Sequence, residues 1–338
     1  MKKVTINDIA KKLGVTPSTI SRALADNQRV SQATRDKVKR MAQEMGYQPN
    51  LMASSLRKGK SDLIGMIVPR INRHFFSNII SGVEEILNPA GYSLLIMQSH
   101  EELEAEVKAV HSLMRNRVGG IIISLSVETN SFEHLQGVVD ANVPLVQFDR
   151  VCKNLKGPKI VNDNITGAYL ATRHLIQSGY KNIAHFSGNK MINVYGERII
   201  GYKKAIAEAF GEVDESLIME DIITRDSGLE TIQQVLKEKE IDAVFCAGDY
   251  SAFGVFEGLK DLKAEFPGKF GLVGFGNEPF AEMLHPSLSS IEQDGREVGR
   301  IAAQEMIDAI NGVLHNIERV VPVEFKERES SKKININF

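Results

Sequence analysis

Ile6, Ile9, Ala10 and Leu13 recur at the three- and four-residue spacing of one helix face, and the rhythm stops at Gly14. It resumes through Val15, Ile20, Ala23 and Leu24, which predicts two short helices around a sharp turn. Glycine suits that turn because it reaches positive φ without a Cβ clash. Ala10 is small enough to let the second helix come close. Thr16 and Pro17 supply an N-cap and a proline at the first helical position. Ser18, Thr19, Ser21 and Arg22 then fall mostly on the face that Ile20 and Ala23 do not bury. A third helix is expected from Ser31 as N-cap, through Val38, Met41, Ala42 and Met45, to a stop at Gly46. Its other face carries Arg35, Lys37, Lys39 and Arg40, either a solvated face or contacts to phosphates. After Tyr47-Gln48-Pro49-Asn50 breaks this helix, Leu51–Lys58 has no Gly or Pro but is too short to be helical alone. Such a segment should fold only against a partner.

From Leu63 the pattern changes to short apolar runs separated by amphipathic stretches. The runs 63–69, 93–98, 120–124, 144–148, 182–186, 242–247 and 270–275 predict strands. The stretches 75–88, 101–116, 164–178, 196–210, 250–263 and 295–311 predict helices. This alternation implies parallel sheets covered by helices on both faces, and the chain is long enough for two such sheets. Ligands then sit at the carboxyl ends of the strands, in the crevice between lobes.

Composition adds that 43% of residues are apolar and 25% charged, enough for a full core in an ordinary soluble protein. No run approaches the roughly 18 apolar residues of a membrane span, and polar residues interrupt the first fourteen positions. A cytoplasmic protein is expected. Cys152 and Cys246 form no C-x-x-C pair and read as reduced thiols. The net charge of −2 conceals a segregation. Residues 1–60 hold 13 Lys+Arg against 4 Asp+Glu, and the rest hold 28 against 39. A basic head on an acidic body suits a polyanion-binding module attached to a regulatory domain. The head then reads as a helix-turn-helix whose helix N-terminus meets phosphates and whose Arg22 can bond guanine bidentately.

Catalytic and cofactor motifs are missing. The eight histidines show no H-E-x-x-H spacing, no G-x-S-x-G occurs, and Gly271, Gly274 and Gly276 have the wrong order for G-x-G-x-x-G. The stretch SSLRKGKS (54–61) lacks the first glycine and the preceding strand of a P-loop. Neither enzyme activity, cofactor nor metal is expected.

The segment VTINDIAKKLGVTPSTISRALADNQRVSQATRDKVKRMAQEMGYQPNLMASSLRKGKSDLIGMIVP resembles the amino-terminal signature of the lactose/galactose repressor (LacI-GalR) family. Similarity continues through HFFSNIISGVEE, FDR, DNITGAYLATRHLIQSGYKNIAHFSG, ERIIGYKKA, GLVGFGNEPF and HPSLSSIEQDGREVGRIAAQEM. The resemblance implies an all-α helix-turn-helix head (1–46), a hinge helix and linker (47–60), and an α/β effector-binding and dimerisation body (61–325). The body would have two doubly wound parallel-sheet lobes of periplasmic-binding-protein type. Lobe 1 would take about 62–161 and 293–321, lobe 2 about 162–291, and 326–338 would form a tail. By resemblance the paired hinge helices of a dimer enter the minor groove, where a leucine wedge kinks the DNA. Leu56 matches that wedge, and Ala53 allows close approach.

Candidate contacts to a pseudo-palindromic operator are therefore Thr5, Thr16, Pro17, Ser18, Ser21, Arg22, Asn27, Ser31, Ala53 and Leu56. Candidate effector contacts are Phe75, Phe76, Asp149, Asn164, Ser187, Arg198, Asp249, Asn277 and Asp294. Asp149 would accept from ligand hydroxyls, and Arg198 would clamp hydroxyls or a carboxylate. Two departures stand out. Gly248-Asp249 and Gly276-Asn277 replace the Asn-Asp and Asp-Asp pairs of many members, so two polar ligand contacts are missing. The expectation is a repressor controlled by a sugar-related effector. The closing segment has no leucine heptads, so a homodimer is expected rather than a coiled-coil tetramer. The competing readings are a solute-binding protein with the same body, which would carry a signal sequence, and an α/β enzyme, which would need a catalytic constellation.

Overall fold

The computed structural model describes residues 4–24, 26–47, 61–313 and 315–333. The chain divides into two compact units, Met1–Ser61 and Asp62–Phe338. Ala53 and Leu56 lie outside the described residues.

The first unit holds α1 (Ile6–Leu13), α2 (Pro17–Leu24) and α3 (Gln32–Glu44). Helix α1 ends because Gly14 takes φ 65° and ψ 31°, and its N–H returns to the Ala10 carbonyl. That left-handed residue turns the chain so that Ile9, Ala10, Ile20, Ala23, Val38 and Ala42 close one small core with Val30. The turn and the buried positions are those the apolar rhythm predicts, with Val30 as an addition from the loop.

The second unit contains two lobes. Lobe 1 begins with β1 (Leu63–Val68), α4 (His74–Leu87), β2 (Ser93–Gln98), α5 (Leu103–Arg115), β3 (Gly120–Ile123), α6 (Glu133–Asp140), β4 (Leu145–Phe148) and β5 (Lys159–Asn162). The chain then crosses into lobe 2 through α7 (Asn164–Gln177), β6 (Ile183–Phe186), α8 (Asn193–Phe210), β7 (Ile218–Met219) and α9 (Arg225–Glu238). It continues with β8 (Ala243–Cys246), α10 (Asp249–Asp261), β9 (Gly271–Phe275), α11 (Phe280–Met283) and β10 (Ser289–Gln293). It returns to lobe 1 as α12 (Gly295–Ile310) and β11 (Glu318–Val321), and ends in lobe 2 with β12 (Val323–Lys326).

Each sheet has six strands, ordered β11-β5-β4-β3-β1-β2 and β12-β10-β9-β8-β6-β7. Strand alternation explains why both faces are covered. Ile64, Met66 and Val68 face the core under α4 and α12, whereas Ile67, Ile121 and Ile123 face the core under α5 and α6. Each such side chain, fully buried, contributes about 1.5–3 kcal/mol. In lobe 2, Phe186, Val244 and Leu272 serve the α9–α10 side, and Phe245, Val273 and Phe275 the α7–α8 side.

Two expectations need correction. The lobe 2 sheet is not wholly parallel, because β12 pairs antiparallel with β10. The residues after 325 do not form a free tail either. Beyond β12, a turn at Glu329–Ser331 is buried in lobe 2, where Ser330 donates to the Leu272 carbonyl (2.6 Å) and Ser331 meets Ser289 (2.7 Å) and His174 (2.8 Å). Polar serines sink here because each finds a partner.

Three strands join the lobes. At two of the crossings an aspartate begins the next helix in the same backbone geometry. Asp163 (φ −74°, ψ 74°) accepts from Thr166 N at 3.0 Å, and Asp294 (φ −74°, ψ 78°) accepts from Glu297 N at 3.0 Å. Between them Gln293 Nε2 donates to Asn162 Oδ1 at 3.1 Å.

Candidate functional site

In the head, three of the expected contacts are helix caps. Thr5 and Asp8 cap α1 reciprocally, with Thr5 N donating to Asp8 Oδ2 at 2.8 Å. Thr16 Oγ1 accepts from Thr19 N at 3.3 Å and lies 2.8 Å from Ser18 Oγ. Ser31 accepts from Thr34 N. Thr16, Pro17, Ser18 and Arg22 are exposed and Ser21 half-buried, so α2 offers a polar face opposite buried Ile20 and Ala23. Asn27 is exposed and its Oδ1 accepts from Arg29 N at 2.9 Å. The open question about α3 divides. Arg35 donates to the Asn27 carbonyl (3.2 Å) and Lys39 pairs with Asp26 (2.6 Å), so both brace the preceding loop, while Lys37 and Arg40 face solvent.

In the body, polar residues gather just beyond the carboxyl ends of the strands. After β4, Asp149 adopts φ 57° with its carboxyl buried and 3.4 Å from Ser124 Oγ. Burial raises its pKa, with the positive charges of Arg150 and Arg198 opposing. Arg150 Nη1 donates to Glu101 Oε2 at 2.6 Å, and the same oxygen accepts from Val127 N at 3.1 Å. The loop carrying Val127 is anchored by Glu106, a fully buried carboxylate that accepts from Ser126 N (2.6 Å), Thr129 Oγ1 (3.0 Å) and His134 Nε2 (2.8 Å).

Lobe 2 presents Arg198 from α8. Its Nε donates to Asn164 Oδ1 (3.0 Å), its Nη1 to the Ala247 carbonyl (2.5 Å), and its guanidinium lies 3.6 Å over the Phe275 ring. Gly201 makes this possible, because a Cβ there would stand 2.2 Å from the Ile165 carbonyl; only glycine lets α8 approach α7 so closely. Burial lowers the Arg198 pKa to about 10, against the pull of Tyr195 and Asp149. Asn193 spans the lobes, donating to the Asp149 carbonyl (2.9 Å) and accepting from Val151 N (3.1 Å). Across the same gap the Arg73 guanidinium lies 3.5 Å over the Tyr250 ring, and the Glu278 carboxylate accepts from the His74 N–H.

Among the described residues, Ser99 Oγ, Arg150 Nε, Ser187 Oγ and Asn277 Oδ1 are buried without a hydrogen-bond partner. They stand one or two residues past β2, β4, β6 and β9. Orphaned polar atoms cost free energy unless a bound group or water satisfies them, so their grouping at strand ends marks a binding cleft.

Asp149, Asn164, Ser187 and Arg198 belong to this constellation, and Asn277 contributes its orphan oxygen. Others depart from expectation. Phe76 is drawn into the lobe 1 core, its ring edge-on to Phe148 at 6.4 Å, and Phe75 packs half-buried beside it. Asp249 turns inward, where its oxygens accept from Ser290 Oγ (2.7 Å) and Glu278 N (2.7 Å); burial raises its pKa to about 6. Asp294 is exposed and caps α12. The residues missed were Glu101, Ser124, Arg150, Asn193 and Glu278. Arg150 had a signal, since it follows Asp149 in the FDR motif; Glu101 had none, its partner lying far along the chain.

A basic three-helix head with an exposed polar second helix, on a two-lobed body with a buried polar cleft, is the build of a DNA-binding transcription regulator with a ligand-sensing domain. Residues 5–50 match the family model for bacterial regulatory proteins of the lacI family, and residues 61–338 the model for periplasmic binding proteins and the sugar-binding domain of the LacI family. The chain belongs to the LacI family. It is 33% identical over 331 residues to the HTH-type transcriptional regulator RegA of Clostridium saccharobutylicum, covering 97% of this chain and 99% of the relative. It is 32% identical to the HTH-type transcriptional repressor PurR of Vibrio atlanticus (strain LGP32), covering 98% and 99%. The crystal structure of the lac repressor dimer bound to operator and the anti-inducer ONPF matches with TM-score 0.87 at 25% identity, covering 98% of this chain and 100% of that one. No helix among the described residues is long and apolar enough to cross a membrane.

Proposed function

We propose that the protein is a cytoplasmic, non-enzymatic repressor that binds a pseudo-palindromic operator as a homodimer and responds to a sugar-related molecule held between the lobes. The observation that carries this reading is the exposed face of α2, where Thr16, Pro17, Ser18 and Arg22 project from a rigid, capped helix in a basic unit. Ser18 and Arg22 read base edges, Pro17 adds apolar shape, and Thr5, Ser21, Asn27 and Ser31 hold the backbone. Ala53 and Leu56 enter the minor groove at the operator centre. In the body, an effector satisfying the orphaned strand-end atoms changes the balance between lobe positions, a coupling of about 1–3 kcal/mol between two sites.

Selection from a random duplex pool with the full chain tests this. A pseudo-palindromic site should emerge whose affinity falls steeply with added salt. Arg22→Ala should relax the preference at one base pair per half-site while most of the salt slope remains. Binding of selected and random duplex with equal affinity would refute the reading. Leu56→Ala should reduce DNA curvature in a phasing assay.

A further inference from the structure

The charged groups around the cleft pair off almost completely. Arg150 is matched by Glu101 at 2.6 Å, and Lys153 by Glu197 at 3.2 Å. Glu278 takes the His74 N–H with Arg73 beside it. Asp249 has both oxygens engaged inside lobe 2. That leaves Asp149 and Arg198, facing the cleft from opposite lobes. No ion pair joins Arg198 to any carboxylate among the described residues. Its only hydrogen bonds there run from Nε to Asn164 and from Nη1 to Ala247, so Nη2 keeps its donors. The guanidinium is nevertheless 6% exposed. Lobe 2 brings no acidic side chain to it: positions 248 and 276 are glycine, and Asp249 points away.

A buried, unpaired guanidinium is costly, and its fixed planar fork matches a carboxylate in two parallel hydrogen bonds. A neutral ligand would leave this charge uncompensated. A phosphate ester, near two negative charges, would overshoot a single unmatched cation. Asp149 has only the Ser124 hydroxyl near its carboxyl, and burial favours its protonated form, so it does not discharge Arg198. The orphaned Ser99, Ser187 and Asn277 atoms remain for hydroxyl groups.

Building on the regulator reading above, we infer that the effector is a sugar acid, a polyhydroxylated monocarboxylate whose carboxylate lies on Arg198 and whose hydroxyls bond Asp149. Gly248 completes the argument by subtraction. A Cβ there meets nothing within 4 Å, and its backbone is extended (φ −163°), so a side chain would fit. An acidic one beside Ala247, whose carbonyl already receives Arg198, would occupy the guanidinium itself.

The test is thermal-shift titration of the full chain with D-galacturonate and D-glucuronate, beside D-galactose, D-glucose, their 6-phosphates and sodium acetate. A hexuronate should raise Tm in a saturable way at millimolar concentration, with neutral parents, phosphates and acetate inert. Gly248→Asp should keep the unliganded Tm within a few degrees and weaken hexuronate binding at least tenfold; Arg198→Gln should weaken it similarly. A neutral hexose or sugar phosphate acting as strongly as the acids, or Gly248→Asp leaving the acid response intact, would overturn the inference. So would silence from both acids. Operator selection on the same preparation reports separately on the regulator reading, which survives any of these outcomes if a site is selected.

Discussion

Lobe 1 and lobe 2 repeat one architecture but differ in what they place at the ends of their strands. Both are six-stranded doubly wound sheets, entered through aspartates with nearly the same dihedral angles. Yet lobe 1 brings Glu101 and Arg150 to the cleft as a closed ion pair and Asp149 as a buried acid, whereas lobe 2 brings an unpaired guanidinium on an aromatic ring. Apolar alternation along the strands is enough to specify the shared part. It says nothing about the one or two residues beyond each strand, where the next turn frees the chain from the sheet's two-residue period. Symmetry of fold and asymmetry of chemistry therefore come from adjacent stretches of the same sequence.

The sharpest contrast lies in the two buried acids that brace the loops. Glu106 in lobe 1 accepts from a backbone N–H, a hydroxyl and an imidazole; Asp249 in lobe 2 accepts from one hydroxyl and one N–H. Glu106→Ala strands three buried donors at once and should cost about 3–5 kcal/mol in denaturant unfolding, the largest loss expected of these variants. A loss below about 1 kcal/mol would mean that the loop does not depend on that carboxylate.

Asp249 should behave in the opposite sense. Its folded pKa of about 6 lies above the ordinary 3.8, so between those values the native state holds a proton the unfolded chain has released. Its contribution to stability is full below pH 4 and is lost as the pH rises through 6. Asp249→Asn keeps the shape, and its amide can still meet Ser290 and the Glu278 N–H. The variant should lack this decline and match or exceed the parent by about 2 kcal/mol at pH 7. His185, held near 4 by burial, pulls the other way, losing stability as the pH falls, so the parent-minus-variant difference is the quantity to follow. An unchanged difference from pH 4 to 7 would remove Asp249 as a titrating group.

The same contrast explains what could be read from the chain. Strands such as LIGMIV and GIII announce themselves because both faces are buried in hydrocarbon. Strands β5 (KIVN) and β10 (SSIEQ) do not, although they are equally interior. Lys159 hides by donating to the Leu155 carbonyl at 2.6 Å, and Ser289 and Ser290 through their hydroxyls, partnerships that exist only after folding. Edge strands β11 and β12 alternate over four residues, too few to count as a pattern. Helix α9 (RDSGLETIQQVLKE) buries only Gly228, Ile232 and Val235, so its apolar stripe is thin. At the cleft, Arg198 and Asp149 were legible because a motif surrounds each. Phe76 and Asp249 were misplaced because local sequence does not say which way a strand-end side chain turns.

Asp294 is the residue on which the comparison turns most finely, because its twin Asp163 shows what it does. If both are hinge caps, Asp163→Ala and Asp294→Ala should each cost about 1 kcal/mol, with the Asn variants restoring most of it, since asparagine accepts from the same N–H groups. Equal losses in Tm, with any sugar response unchanged by Asp294→Ala, would place both carboxylates in the frame that joins the lobes. A tenfold loss of ligand affinity at constant stability would instead make Asp294 a contact. The matched dihedrals then would mark a hinge in which one copy has been borrowed for recognition, and the division between shared fold and unshared chemistry would have to be redrawn one residue further into the crossing.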